Sequence, residues 1–122
     1  MKQFSLIICL FVSLVTTKAF CQTGIPAKDA AKHLNEKVMV CDVIYGGKFL
    51  SGSDLTLIDV GGSHPNEVLT LVIKGADRKK FATPPEEAFK GKKVCITGKV
   101  IDYKGKPEIM ITEADQIKED VN

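Results

Sequence analysis

No other stretch limits the fold as much as Lys92 to Ile111, which reads KKVCITGKVIDYKGKPEIMI. Two apolar runs rich in β-branched residues flank a polar turn, Asp102-Tyr103-Lys104-Gly105-Lys106-Pro107. Branched side chains pack well on a pleated surface, while glycine and proline interrupt it, so this spacing predicts a β-hairpin. A lone hairpin is marginal in water and needs further strands to cover its apolar face.

Three more strand-like runs precede it. Lys37 to Tyr45 (KVMVCDVIY) has Val38, Val40 and Ile44 on one face and Met39, Cys41, Val43 and Tyr45 on the other, so both faces are expected to be covered. Residues 46–53 (GGKFLSGS) are expected to form a glycine-rich loop. They lack the lysine-then-hydroxyl ending and the following helix of a nucleotide-binding loop. Leu55 to Val60 and Glu67 to Lys74 are the second and third strands, joined by a turn at Gly61 to Asn66. Residues 75–89 then read as two helical turns divided by Pro84-Pro85, with Glu86 and Glu87 suited to a first helical turn. The fourth strand runs from Lys92 to Asp102 and the fifth from Pro107 to Thr112. Upstream, Ala27, Ala30, Ala31 and Leu34 recur at helical spacing behind Pro26, and Asn35 can end that short helix. The polar tail from Glu113 is expected to end in a helical turn and fray.

The order is strand, strand, strand, helical insert, strand, strand. An all-β, five-stranded closed barrel with a capping helical insert in that place is the OB-fold, and closure leaves no open sheet edge.

The N-terminus carries a different signal. Phe4 to Val15 is apolar, follows Lys2, and leads to Ala19-Phe20-Cys21, the layout of a cleaved secretory signal peptide. The run is shorter than the roughly 20 apolar residues of a membrane span. Acylation of Cys21 as a lipoprotein is the less favoured alternative, because Lys18-Ala19-Phe20 fits a lipobox poorly. The expected organisation is a signal peptide at 1–21, a leader and short helix at 22–36, the barrel at 37–118 and a tail at 119–122. The whole chain has 17 Lys and Arg against 15 Asp and Glu. Loss of Lys2 and Lys18 with the signal leaves fifteen of each sign. A general basic surplus for nucleic acid is then absent, and any basic patch must be local.

Export into the periplasm or medium also bears on the cysteines. Cys41 and Cys95 remain after cleavage, an even pair in an oxidising compartment. Strands one and four are neighbours in an OB barrel. If Val38, Val40 and Ile44 point inward, and Val94, Ile96 and Val100 do too, both sulfurs lie on the outer face and a Cys41–Cys95 disulfide is expected. Two separate buried thiols are the alternative. Neither cysteine has a histidine or second cysteine at zinc spacing, and no metal or other cofactor is expected.

The layout resembles bacterial exported OB-fold proteins described as nucleic-acid-binding. Matching residues are Val40-Cys41-Asp42-Val43, Leu71-Val72-Ile73-Lys74-Gly75-Ala76-Asp77-Arg78, Phe81 with Pro84-Pro85-Glu86, Gly91 to Val100, and Tyr103-Lys104-Gly105-Lys106-Pro107-Glu108-Ile109. The resemblance implies a groove over strands two and three, walled by the loops between strands one and two and between strands four and five. Strands two and three hold no aromatic for base stacking. The remaining candidates are Tyr45, Lys48 and Phe49 at the first loop and Tyr103, Lys104 and Lys106 at the second. Tyr45 and Phe49 read equally well as packing at the barrel mouth, and the lysines as ordinary solvated side chains.

Catalytic constellations are weak. His33 and His64 are not brought together by the pattern, and no acid is expected to orient the Ser63-His64 pair. The expectation is a non-catalytic binding module for single-stranded nucleic acid or another polyanion. The alternative is a structural or stress-associated protein that binds a periplasmic protein or envelope partner through an apolar surface on strands two and three.

Overall fold

The computed structural model describes residues 23–121. The signal-peptide reading and the fate of Cys21 lie outside the described residues. Among those residues no helix is long and apolar enough to cross a membrane.

Six strands are present: β1 (Lys37–Leu50), β2 (Leu55–Val60), β3 (Leu69–Lys74), β4 (Lys93–Tyr103), β5 (Lys106–Ile111) and β6 (Ile117–Glu119). Hydrogen-bonded neighbours run β1-β2-β3-β5-β4, and β4 pairs back with β1, so five strands close into a ring. The β3–β5 pair is parallel and the other ring pairs are antiparallel. This is the expected OB-like barrel. Two short helices, α1 (Gly75–Arg78) and α2 (Pro85–Ala88), form the insert between β3 and β4, with Pro84 capping the second.

Alternation along the strands builds the interior. Val40, Ile44, Ile58, Val60, Leu71, Ile73, Val94, Ile96, Val100, Ile109 and Ile111 are fully buried in one cluster. Burial of each such side chain contributes about 1.5–3 kcal/mol. Cys41 is directly opposite Cys95 in the β1–β4 register, and the two form a disulfide on the outer face.

Four details differ from the sequence reading. The glycine-rich segment is strand: β1 continues through Gly46 and Gly47 to Leu50, with a register shift between Ile44 and Gly46. The reason is close approach. A Cβ on Gly47 would lie 2.5 Å from the Leu57 carbonyl oxygen and 3.0 Å from Glu86 Cβ. The third strand starts at Leu69 and leaves Glu67 in the preceding turn. The N-terminal helix is a 3-10 helix at Ala27–His33 with only Ala27 and Ala30 buried, while Leu34 faces outward at 40% exposure. Asn35, at φ 67°, does end it. Finally the tail makes its expected helical turn at Ala114–Gln116 and then pairs as β6 with Val94–Ile96 of β4, rather than fraying at once.

Candidate functional site

The outer surface of β1, β2, β3 and β5 is a grid set by register. One row runs Lys48, Leu57, Val72, Met110, and the next runs Asp59, Thr70, Glu108. The β4–β5 hairpin closes one side. Its two-residue turn has Lys104 at φ 51° and Gly105 at φ 85°, the paired left-handed conformation that matches strand twist. Tyr103 and Lys106 are therefore opposite one another at the hairpin base. Together with the turn before β3, these elements enclose a groove of about 340 Å³ lined by Gly47, Lys48, Leu57, Asp59, His64, Glu67, Thr70, Tyr103, Lys106 and Glu108.

Three of the sequence candidates, Lys48, Tyr103 and Lys106, thus share one groove. The others do not line it. Phe49 follows Lys48 on a strand, so its side chain leaves the opposite face. There Arg78 lies over its ring at 4.2 Å. Lys48 and Phe49 sit in strand β1 and not in a loop, because of the extension through Gly47. Tyr45 lies at the register shift and is 48% exposed. Lys104 is at the turn tip, its Nζ 5.4 Å from the Tyr103 ring centre, and so it covers one face of that ring.

The groove floor is acidic, which the sequence reading missed. His64 Nδ1–H donates to Glu67 Oε1 at 3.1 Å, so an acid does orient His64. Burial and the charge of Glu67 push the Asp59 carboxyl above the usual range, against the opposing charges of His64 and Lys48. Burial pushes Glu108 up as well. For Glu67 burial acts in the same direction, but its own amide, the His64 hydrogen bond and the charges of His64 and Lys106 together outweigh it and hold the carboxyl low. The available signal was the spacing of Asp59, His64 and Glu67 around one turn. It went unused because Glu67 was assigned to a strand.

The apolar residues of strands two and three divide between the barrel interior and the outer grid. Leu69, Leu71 and Ile73 are in the barrel interior. The outer grid keeps Leu57, Val72 and Met110, and Val72 is only 7% exposed.

No family model matches the chain, and no curated protein matches it. Among solved structures, the chain is similar to one described as an aspartyl-tRNA synthetase from Leishmania major Friedlin, with a TM-score of 0.51 and 10% sequence identity. The match covers 88% of this chain and 23% of that one, so this chain spans under a quarter of its neighbour's length. At that identity the likeness shows the fold, an OB-like barrel with its ring closed between β1 and β4.

Proposed function

We propose that this protein is an exported, non-catalytic binding module that holds a short stretch of single-stranded nucleic acid or another extended polyanion in the groove of the β1–β2–β3 face. The observation that carries this reading is the meeting of Lys48, Tyr103 and Lys106 in one groove, although Lys48 comes from β1 and the other two from the β4–β5 hairpin. Two ammonium groups can meet phosphates, and the ring face of Tyr103 not covered by Lys104 can take one base. The neighbouring structure is by its name an enzyme of tRNA, which agrees with a nucleic-acid ligand. The Cys41–Cys95 disulfide of this chain supports residence in an oxidising compartment.

The acids Asp59, Glu67 and Glu108 limit the strength of that grip. A neutral mature chain with an acidic groove floor predicts weak affinity, on the order of non-specific binding at 10⁻⁴–10⁻⁶ M. The test is fluorescence anisotropy of a labelled oligonucleotide at two salt concentrations. Binding should weaken steeply with salt, and Lys48→Ala with Lys106→Ala should reduce that dependence. Tyr103→Ala should cost about 1–3 kcal/mol. Absence of binding by the unaltered protein at low salt overturns the reading.

A further inference from the structure

At the end of the groove, three side chains from one β-turn region converge. Asp59 is the penultimate residue of β2, His64 sits in the following turn, and Glu67 precedes β3. A carboxylate oxygen of each acid and a ring nitrogen of His64 all lie within 4.8 Å of one another. The Glu67 side chain is only 6% exposed, yet its Oε2 is buried with no hydrogen-bond partner. A buried carboxylate oxygen left unpaired is costly. Glu67 also lines the groove, and one of its carboxylate oxygens lies in the cluster with Asp59 and His64.

We propose that Asp59, His64 and Glu67 are the protein ligands of a divalent metal ion, with Zn²⁺ the best match to the donor set. An imidazole with two carboxylates suits zinc and neighbouring transition metals better than magnesium or calcium, which prefer all-oxygen shells. The geometry agrees. Two donors bound to zinc at about 2.0–2.2 Å, and spread at a tetrahedral angle, stand roughly 3.3–3.6 Å apart. His64 Nδ1 and Glu67 Oε1 are at 3.1 Å, and the ion would replace the Nδ1 proton between them, which is released to solvent. The His64 side chain is 58% exposed, which leaves an entry path. Three protein ligands leave coordination open to water or to an anionic group lying in the groove. The other triple of candidate donors among the described residues, Cys41, Cys95 and Asp120, is set aside because its sulfurs are bonded to each other.

This assignment stands without the nucleic-acid reading, and its test uses no oligonucleotide. ZnCl₂ is titrated into the purified protein in competition with a chromophoric zinc indicator. Single-site saturation is expected. Asp59→Asn and His64→Ala should each weaken it about tenfold or more, as should Glu67→Gln. Far-ultraviolet circular dichroism verifies that each variant is folded. Asp59→Asn and His64→Ala carry the test should the Glu67 variant unfold. His33→Ala, at the other histidine–glutamate pair, should bind zinc as the unaltered protein does. No saturable uptake by the unaltered protein overturns the proposal, as does unchanged binding in the folded Asp59 and His64 variants. Loss of binding in His33→Ala overturns it as well.

Discussion

The guanidinium carbon of Arg78 lies 4.2 Å from the centre of the Phe49 ring, and this stack fixes Phe49 on the helix side of β1. The same guanidinium donates to both carboxylate oxygens of Glu86, at 2.6 and 2.8 Å, and to the Thr56 hydroxyl at 2.7 Å. Thr56 is fully buried and Arg78 is mostly so. One side chain therefore ties α1 to α2, to β2 and to the end of β1. Truncation strands a half-buried carboxylate and a buried hydroxyl. Arg78→Ala should lower the unfolding free energy by about 2–3 kcal/mol. Arg78→Lys should recover only part of it, because an ammonium cannot reproduce the two-pronged contact. Urea unfolding of the two variants checks both.

The same pair makes acid stability predictable in sign. Hydrogen bonds from Arg78 hold the Glu86 carboxyl below the usual glutamate range, against burial. The folded protein thus takes up this proton less readily than the unfolded chain. Its stabilising contribution is complete above the unfolded value of about 4.3, and is lost as pH falls through the lower folded value. Denaturation midpoints measured between pH 7 and pH 3 should show that fall, and Glu86→Gln should be less stable at pH 7 with a shallower decline. A steeper decline in Glu86→Gln would contradict the assignment.

Gly47 offers a steric test of the extended β1. An added methyl would press on the backbone oxygen of Leu57, which has no freedom to swing aside. Gly47→Ala should therefore destabilise by about 1–3 kcal/mol. At Gly52, in the β1–β2 turn, a Cβ meets nothing within 4 Å. Gly52→Ala should stay within about 0.5 kcal/mol of the parent. Equal effects of the two substitutions on thermal midpoint would show that the β1–β2 approach is looser than described.

The Cys41–Cys95 bond spans 54 residues of sequence. In the loop-closure picture such a cross-link disfavours the unfolded chain by about 4 kcal/mol. Guanidinium titration with and without dithiothreitol should separate by roughly that amount. Two titratable thiols in the oxidised, unfolded protein would contradict the pairing.

The ring of strands was legible because its signals are periodic. Inward positions such as Val94, Ile96 and Val100 recur every second residue, and the same alternation puts Cys41 and Cys95 together on the outer face. The site was only partly legible, for physical reasons. Gly46 and Gly47 have the composition of a loop, but serve here to let a strand pass close to β2 and α2. With β1 extended, strand alternation sends Lys48 to the groove and Phe49 away from it. Glu67 looked like a strand residue because Val68 and Leu69 follow it, and its pairing to His64 depends on the turn's path, which no periodicity encodes. The capping turns were visible from Pro84-Pro85, whereas the Arg78–Glu86 bond that locks them was not.

Three residues of β6 have an effect out of proportion to their length. β5 accompanies β4 only from Val100 to Tyr103, and β6 runs beside Val94–Ile96 on the flank not held by β1. Without Ile117–Glu119 that flank would offer free amides and carbonyls to any extended chain, including another copy of this protein. Occupying it from within shifts the edge of the sheet from β4 to the three residues of β6. An edge that short offers a foreign strand few backbone groups to pair with.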